Sequence, residues 1–364
     1  MIKNTFNDKT KLNIIIYSLI IVICVAVLIF LDLNKFEYNY AISIIEKSLV
    51  YAVVALSMNI VTGFTGLFSL GQAGFMAIGA YTTAILTIPI ASRPSVYYMN
   101  GILPVLEKAI LPIPVALITG GVVAGIFAAL IGIPVLRLKS DYLAIATLGF
   151  SEIIRAVIAS PMMDKITNGS YGLKSIPGFK SSIECFVYSL ICIILMVLII
   201  NSSTGRDFKA IREDEVAARA VGIDIFRTKE LSFVVSSFFT GIGGGLLAMF
   251  MRSIESKTFQ ITLTYDILLI VVLGGIGSIT GSVVGAFFVT AGKEILRFFD
   301  EPLTVAGIEI PLFRPGFRMV IFSILLMVVV IFFRKGLLGG KELSFTKFGK
   351  YKGEDNLGST GGKA

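Results

Sequence analysis

From Leu12 onward the chain is a series of apolar runs, each about 20 residues long and separated by short charged segments, which is the length a helix needs to cross a bilayer core. Only 15% of the 364 residues are charged, against roughly a quarter in an ordinary soluble domain. So few charges do not cover the surface of a soluble protein of this size. The runs fall at 12–31, 41–62, 67–88, 110–135, 142–159, 184–201, 231–251, 263–279, 281–297 and 318–333. The expected fold is an all-α polytopic membrane protein of about ten spans. A single helix over 263–297 would be about 52 Å long, far beyond the bilayer, so a break is expected at the Gly274–Gly281 cluster.

Charge placement sets the expected orientation. The net charge of +8 would suggest nucleic acid in a soluble protein. Here the Lys and Arg divide into 18 on one set of loops and 11 on the other, with Lys47, Arg155 and Lys293 inside spans. By the positive-inside rule both termini lie in the cytoplasm, and no nucleic-acid partner is implied. Residues 1–11 then form a cytoplasmic tail, 12–335 the membrane domain, and 336–364 a Gly-, Lys- and Ser-rich tail expected to be disordered. The first run is too long for a signal-peptide core and lacks a cleavage site, so it is expected to be retained.

The composition also removes several chemistries. There is no His, so His-based general acid–base catalysis, Ser-His-Asp triads and His-containing metal sites are excluded. Cys24, Cys185 and Cys192 all lie in apolar runs. Cys185 and Cys192 are about 10 Å apart along one helix and cannot pair there. The chain is not expected to be an enzyme or to bind a metal. No Gly-x-x-x-x-Gly-Lys-Ser/Thr phosphate loop is present, so any ATP hydrolysis must come from another chain.

The large charged loop, 202–230, balances six basic against six acidic residues. Ser203, Thr204 and Asp207 offer N-caps, good helix formers follow Phe208, and Gly222 offers a C-cap. On one helix Phe208, Ile211, Glu215, Ala218 and Gly222 would share a face, with Glu215 and Arg219 able to pair. Such a helix reads either as an ordinary surface helix or as one that docks into a partner's groove.

The Gly-rich run at 63–84 includes Gly71 and Gly74 and a small-residue face of Ala73, Ala77, Ala80 and Ala84. This suits close helix packing without hydrophobic drive. Ser69 and Gln72 at its start are candidate path residues if a helix is broken there and its N-terminus faces a cavity. Gly274, Gly275 and Gly277 are expected to form a tight hairpin, and Gly241, Gly243, Gly244 and Gly245 a further packing site or kink. Ionisable residues within spans include Glu46, Asp266, Glu294 and the i, i+3 pair Glu152 and Arg155. That pair is either structural or part of a polar patch at the outer mouth. Asp266 and Lys293 are expected to snorkel at span ends.

Several motifs together resemble one family. Ala217, Ala218 and Gly222 hold the places of the Glu-Ala-Ala-x-x-x-Gly coupling motif of ABC-importer permeases. Val216 stands at the motif's Glu position, and Asp214 and Glu215 precede it. SLGQAGFMAIGAY (69–81), DYLAIATLGF (141–150), TNGSYGL (167–173) and GGIGS (274–278) resemble segments of LivM-like branched-chain amino acid permeases. The likeness runs from about residue 60 to 335. It implies a multi-pass subunit of the bacterial cytoplasmic membrane that binds no cofactor itself. It implies four kinds of company: a second related permease, two cytoplasmic ATPase subunits that use ATP, an extracytoplasmic solute-binding protein, and the lipid bilayer. The coupling residues implied are Arg212, Asp214, Glu215, Ala217, Ala218 and Gly222. Related permeases carry urea, amides, sugars or nucleosides. An ion-driven secondary transporter would instead keep paired acids at the midplane, and little of that kind is present.

Overall fold

A computed structural model describes residues 22, 25–99, 101–138, 140–296, 304–305, 308–309, 320–324, 327 and 336. Most of the runs expected at 12–31 and 318–333, the N-terminal tail, the C-terminal tail after Gly336, and Cys24 lie outside these residues.

Each expected run between 41 and 297 holds one helix. They are α1 (Lys35–Asn59), α2 (Gln72–Thr87), α3 (Ile113–Val135), α4 (Ser140–Ile158), α5 (Ser182–Asn201), then α6 (Ser203–Glu213) and α7 (Glu215–Ala220) in the charged loop, α8 (Ile225–Met251), α9 (Ile261–Gly274) and α10 (Ile279–Ile295). Four are long and apolar enough to cross a membrane, and up to six spans result if two bent helix pairs each count as one. The bends follow α2, at 101°, and α4, at 60°. The protein is a polytopic helical membrane protein. A small antiparallel hairpin, β1 (Thr304–Val305) and β2 (Ile308–Glu309), departs from the purely helical expectation.

Burial sorts the helices into layers. The second half of α1, nearly all of α2 and the stretch Ser236–Met249 of α8 are buried on every side, apart from single positions such as Phe238. A helix apolar all round belongs at the centre of a bundle. α3 and α5 are two-faced. α3 buries Ala116, Gly120, Gly121, Ala124 and Ala128 and exposes Val122, Ile126 and Leu130. α5 buries Cys185, Ser189, Cys192 and Met196 at steps of four and three, and exposes Ile191, Leu195 and Leu198. Small residues inside and large apolar residues outside is the arrangement expected where lipid replaces water. Cys185 and Cys192 are buried free thiols, as read from their spacing.

The inner helices meet through backbone. A Cβ placed on Gly241 would stand 2.6 Å from Ala124 Cβ and 3.0 Å from Gly120 O. One placed on Gly120 would stand 2.9 Å from Gly79 O. The Gly241–Gly245 run therefore serves packing, and α8 runs unbroken through it. The small face of Ala73, Ala77, Ala80 and Ala84 is completely buried.

The end of the bundle away from α6 and α7 is closed by a knot of loops. Asn168, in the left-handed region at φ 57°, donates to Val96 O (3.0 Å) and Gly172 O (2.7 Å). Tyr97 Oη donates to Ile166 O at 2.7 Å. Arg93 is buried at its centre.

Candidate translocation and coupling site

The chain breaks between α1 and α2. α1 ends in a π turn, Ile60–Phe64, and residues 65–71 run without helix until Gln72 opens α2. Single π turns recur at functional sites. Ser69 is fully buried, and its Oγ accepts from Gly71 N at 3.5 Å. Gln72 is also buried. Its Oε1 accepts from Thr240 Oγ1 at 2.6 Å, and its Nε2 lies 3.5 Å from Ser236 Oγ. Ser236 in turn donates to Ser57 O at 2.7 Å. The backbone N–H of Ala73, one of the groups a helix start leaves unsatisfied, donates to Thr264 Oγ1 at 3.2 Å. The break on which the candidacy of Ser69 and Gln72 was conditional is present. In this structure its start is held by hydroxyls from α8 and α9.

α4 meets this segment through Thr147 and Ser151. Leu70 N donates to Thr147 Oγ1 at 3.0 Å, and a Cβ on Gly74 would stand 2.8 Å from Ser151 Cα. Gly74 thus permits close packing, while Gly71 occupies the N-cap position of α2. Glu152 and Arg155 pair with each other at 2.7 Å, each side chain about a third exposed. They neutralise one another on α4 and make no ion pair with the 69–72 segment.

The charged loop differs from the single helix expected up to Gly222. It forms two helices meeting at Asp214, whose backbone is extended (φ −159°, ψ 113°). Glu213, Asp214 and Glu215 are consecutive acids. They are unfavourable inside a helix near its negative end and favourable at the start of a new one. Asp214 Oδ1 accepts from Val216 N (2.7 Å) and Ala217 N (3.0 Å), so it caps α7. α6 is capped by Ser202, one residue before the three candidates, which accepts from Gly205 N at 3.5 Å. Glu215 pairs with Lys229 at 2.6 Å in place of Arg219, because α7 lies beside the start of α8. Of the expected shared face, Phe208, Ile211 and Ala218 are buried while Glu215 and Gly222 are exposed, and Ile211, Ala218 and Ile225 form a small cluster of their own. Val216 and Val221 are 80% and 77% exposed, on the outward side of α7. Gly222 follows the helix at φ 90°, a conformation glycine adopts without a Cβ penalty.

The second break is the α9–α10 turn. Gly275 (φ 120°) and Gly277 (φ 80°) turn the chain, and Ser278 caps α10 by accepting from Gly281 N at 3.0 Å. Gly274 and Gly281 touch backbone to backbone. The expected hairpin is present. Asn59, fully buried at the end of α1, binds it. Asn59 Nδ2 donates to Ser278 O (2.9 Å) and Ser282 Oγ (2.7 Å), and Asn59 Oδ1 accepts from Gly277 N (2.8 Å). Arg212 reaches the same place from α6, donating from Nη1 to Gly63 O at 2.8 Å.

The other ionisable groups expected within spans have partners among the described residues. Asp266 and Lys293 bond at 2.5 Å between α9 and α10, which replaces the expected snorkelling. Glu46 accepts from Ser182 Oγ at 3.1 Å, and Lys47 lies 4.0 Å from Glu294. Among the described residues no group of three or more His, Cys, Asp or Glu is placed to hold a metal ion. Sequence reading passed over Asn59, Ser236, Thr240 and Arg93. A lone polar residue in an apolar run was the available signal for the first three.

Residues 40–330 match the family model described as branched-chain amino acid transport system / permease component. The chain is 32% identical over 295 residues to the high-affinity branched-chain amino acid transport system permease protein LivM of Salmonella typhimurium, covering 72% of this chain and 64% of that protein. It is 27% identical over 330 residues to the probable branched-chain amino acid transport permease protein LivM of Methanocaldococcus jannaschii, covering 80% and 91%. The L-arabinose transport system permease protein AraH of Escherichia coli is 33% identical over 146 residues, covering 39% of this chain and 42% of that protein. The match thus spans just under two thirds of the length of the Salmonella relative. No solved structure matches the chain. With most of its length inside the family model, this chain belongs to the branched-chain amino acid transport system permease family.

Proposed function

We propose that the chain is the translocation subunit of an ATP-driven importer for branched-chain amino acids in the bacterial cytoplasmic membrane. The observation that carries this reading is the placement of α6 and α7. α6 rests on both backbone breaks of the membrane domain through Arg212, and α7 turns Val216 and Val221 outward. An outward apolar pair on a short capped helix suits docking into a groove on a soluble partner. The coupling residues are Arg212, Asp214, Glu215, Ala217, Ala218 and Gly222. Ten spans with both termini in the cytoplasm place this loop where an ATPase can reach it. A second permease, two ATPase subunits and an external binding protein complete the assembly, and ATP is used by the ATPases.

A second reading, a sugar importer, draws on the partial likeness to the arabinose permease. Uptake of labelled leucine separates the two, in cells stripped of their own branched-chain carriers and supplied with the whole assembly. ATP-dependent leucine uptake indifferent to excess arabinose supports the first reading. Arabinose uptake without leucine uptake supports the second.

Ser69, Gln72, Glu152 and Arg155 are the proposed path residues. Gln72 joins the start of α2 to α8, directly after the unwound segment that holds Ser69. Gln72→Leu removes the hydrogen bond to Thr240 and sets an apolar side chain against the Thr240 and Ser236 hydroxyls at the start of α2. Uptake per assembled transporter is expected to fall by about tenfold, equivalent to about 1.4 kcal/mol. Uptake unchanged at equal membrane abundance would remove Gln72 from the path.

A further inference from the structure

α6 meets the membrane domain through three kinds of contact. Phe208 makes apolar contacts, which tolerate sliding, and Lys209 lies 5.5 Å from the centre of the Phe64 ring. Arg212 makes a directional one. One edge of its guanidinium donates to Gly63 O at 2.8 Å, and the other pairs with Glu213 at 2.6 Å on the surface side. A planar forked cation fixes both partners in a way a single ammonium does not.

Gly63 belongs to the π turn that ends α1 and lies directly on the α9–α10 turn. A Cβ on Gly63 would stand 2.5 Å from Gly277 N, and one on Gly277 would stand 2.8 Å from Arg212 Nη1. Gly66, in the left-handed region at φ 78°, lies against the Arg212 stem, where an added Cβ would stand 3.0 Å from Cγ. Asn59 then bonds α1 to the same turn three times. One guanidinium therefore contacts both breaks, and the breaks are bonded to each other. These are the points where the spans leave regular helix, so they are the places where a small push rotates a helix without breaking its hydrogen-bond ladder.

We propose that Arg212 is a positioning residue that passes displacement of α6 to α1 and to the α9–α10 hairpin together, with Asn59 locking the two; this rests on the importer reading above. Arg212 faces the membrane domain, whereas Val216 and Val221 face the ATPase. The segment thus divides into a docking side and a transmitting side.

The test uses the complete transporter in proteoliposomes, with moles of solute moved per mole of ATP hydrolysed as the readout. Arg212→Ala is expected to retain the ATPase subunits and their hydrolysis, while solute per ATP falls about five-fold or more. Arg212→Lys, whose single ammonium does not span Gly63 O and Gly277 as the guanidinium does, is expected to fall between that and wild type. Glu213→Gln, which leaves the Gly63 bond in place, is expected to match wild type. Full coupling in Arg212→Ala overturns the proposal. Loss of the ATPase subunits from that variant also overturns it, because Arg212 would then be a docking residue. Where Arg212→Ala does not assemble, Arg212→Lys decides: undiminished solute per ATP overturns the proposal. A wild-type complex without ATP-driven uptake overturns the importer reading itself, and the proposal with it.

Discussion

Arg93→Leu is expected to leave almost no folded protein in the membrane. Arg93 is 2% exposed and donates only to backbone carbonyls. Nε reaches Ile88 O at 3.1 Å, Nη2 reaches Ile85 O (3.2 Å) and Ala109 O (2.6 Å), and Nη1 reaches Glu107 O at 2.9 Å and also Leu106 O. Ile85 and Ile88 lie at the end of α2, and Leu106 and Glu107 close the short helix Pro104–Glu107. The guanidinium thus sits where two helices present unsatisfied carbonyls and negative dipole ends. Leucine would leave carbonyls such as Ile88 O and Glu107 O without the Arg93 donor, each at about 1–3 kcal/mol if no water enters, while Leu106 O keeps the Ala109 amide. The losses are not additive, and a total on the order of 4–5 kcal/mol is expected. Thermal unfolding in detergent checks this. A variant that melts within a few degrees of wild type would show that water replaces the guanidinium.

Gly244→Ala is expected to be nearly as severe, for a steric reason. A Cβ on Gly244 runs into the backbone carbonyl of Met76, and one on Gly79 runs into Gly241 O. The obstacle is backbone on a buried helix, so no rotamer change relieves it, and α2 and α8 must separate. Overpacking of this kind costs about 3 kcal/mol or more, and the separation also loses the contacts along the crossing. Gly149 is the control. It lies in α4 with nothing within 4 Å of an added Cβ. Gly149→Ala is expected to be neutral or to stabilise by about 0.5–1 kcal/mol through helix propensity. Equal loss of folded yield in both variants would mean that glycine acts here through backbone flexibility and not through close approach.

These two positions show how far reading the chain residue by residue carries. The Gly241–Gly245 cluster and the alanine face of α2 were legible as packing surfaces, because small residues at helical spacing have few other uses in lipid. Arg93 was counted only as one more basic residue of an outer loop. Nothing local marks it as the plug of two helix ends. The glycines and polar residues before Gln72 left a break there open without deciding it, and its partners Ser236 and Thr240 were not legible at all. The charged loop was legible as helix, while its division at Asp214 depended on local competition between continuing one helix and capping the next. Glu215 lay within reach of both Arg219 and Lys229, and the fold of α7 against α8 chose Lys229.

The chain alone settles that it crosses a membrane as a bundle of helices, roughly where each helix lies, which surfaces pack through small residues, and to which family it belongs. Those properties follow from hydropathy, helical period and motif, which act over a few turns. The joints are set by folding in three dimensions. Asn59 meets Gly277 across 218 residues and Arg212 meets Gly63 across 149. Their partners are backbone groups, which every residue carries. No side-chain pattern announces which backbone amide or carbonyl a buried Asn or Arg will find, and only the packing of the helices brings the right ones within 3 Å.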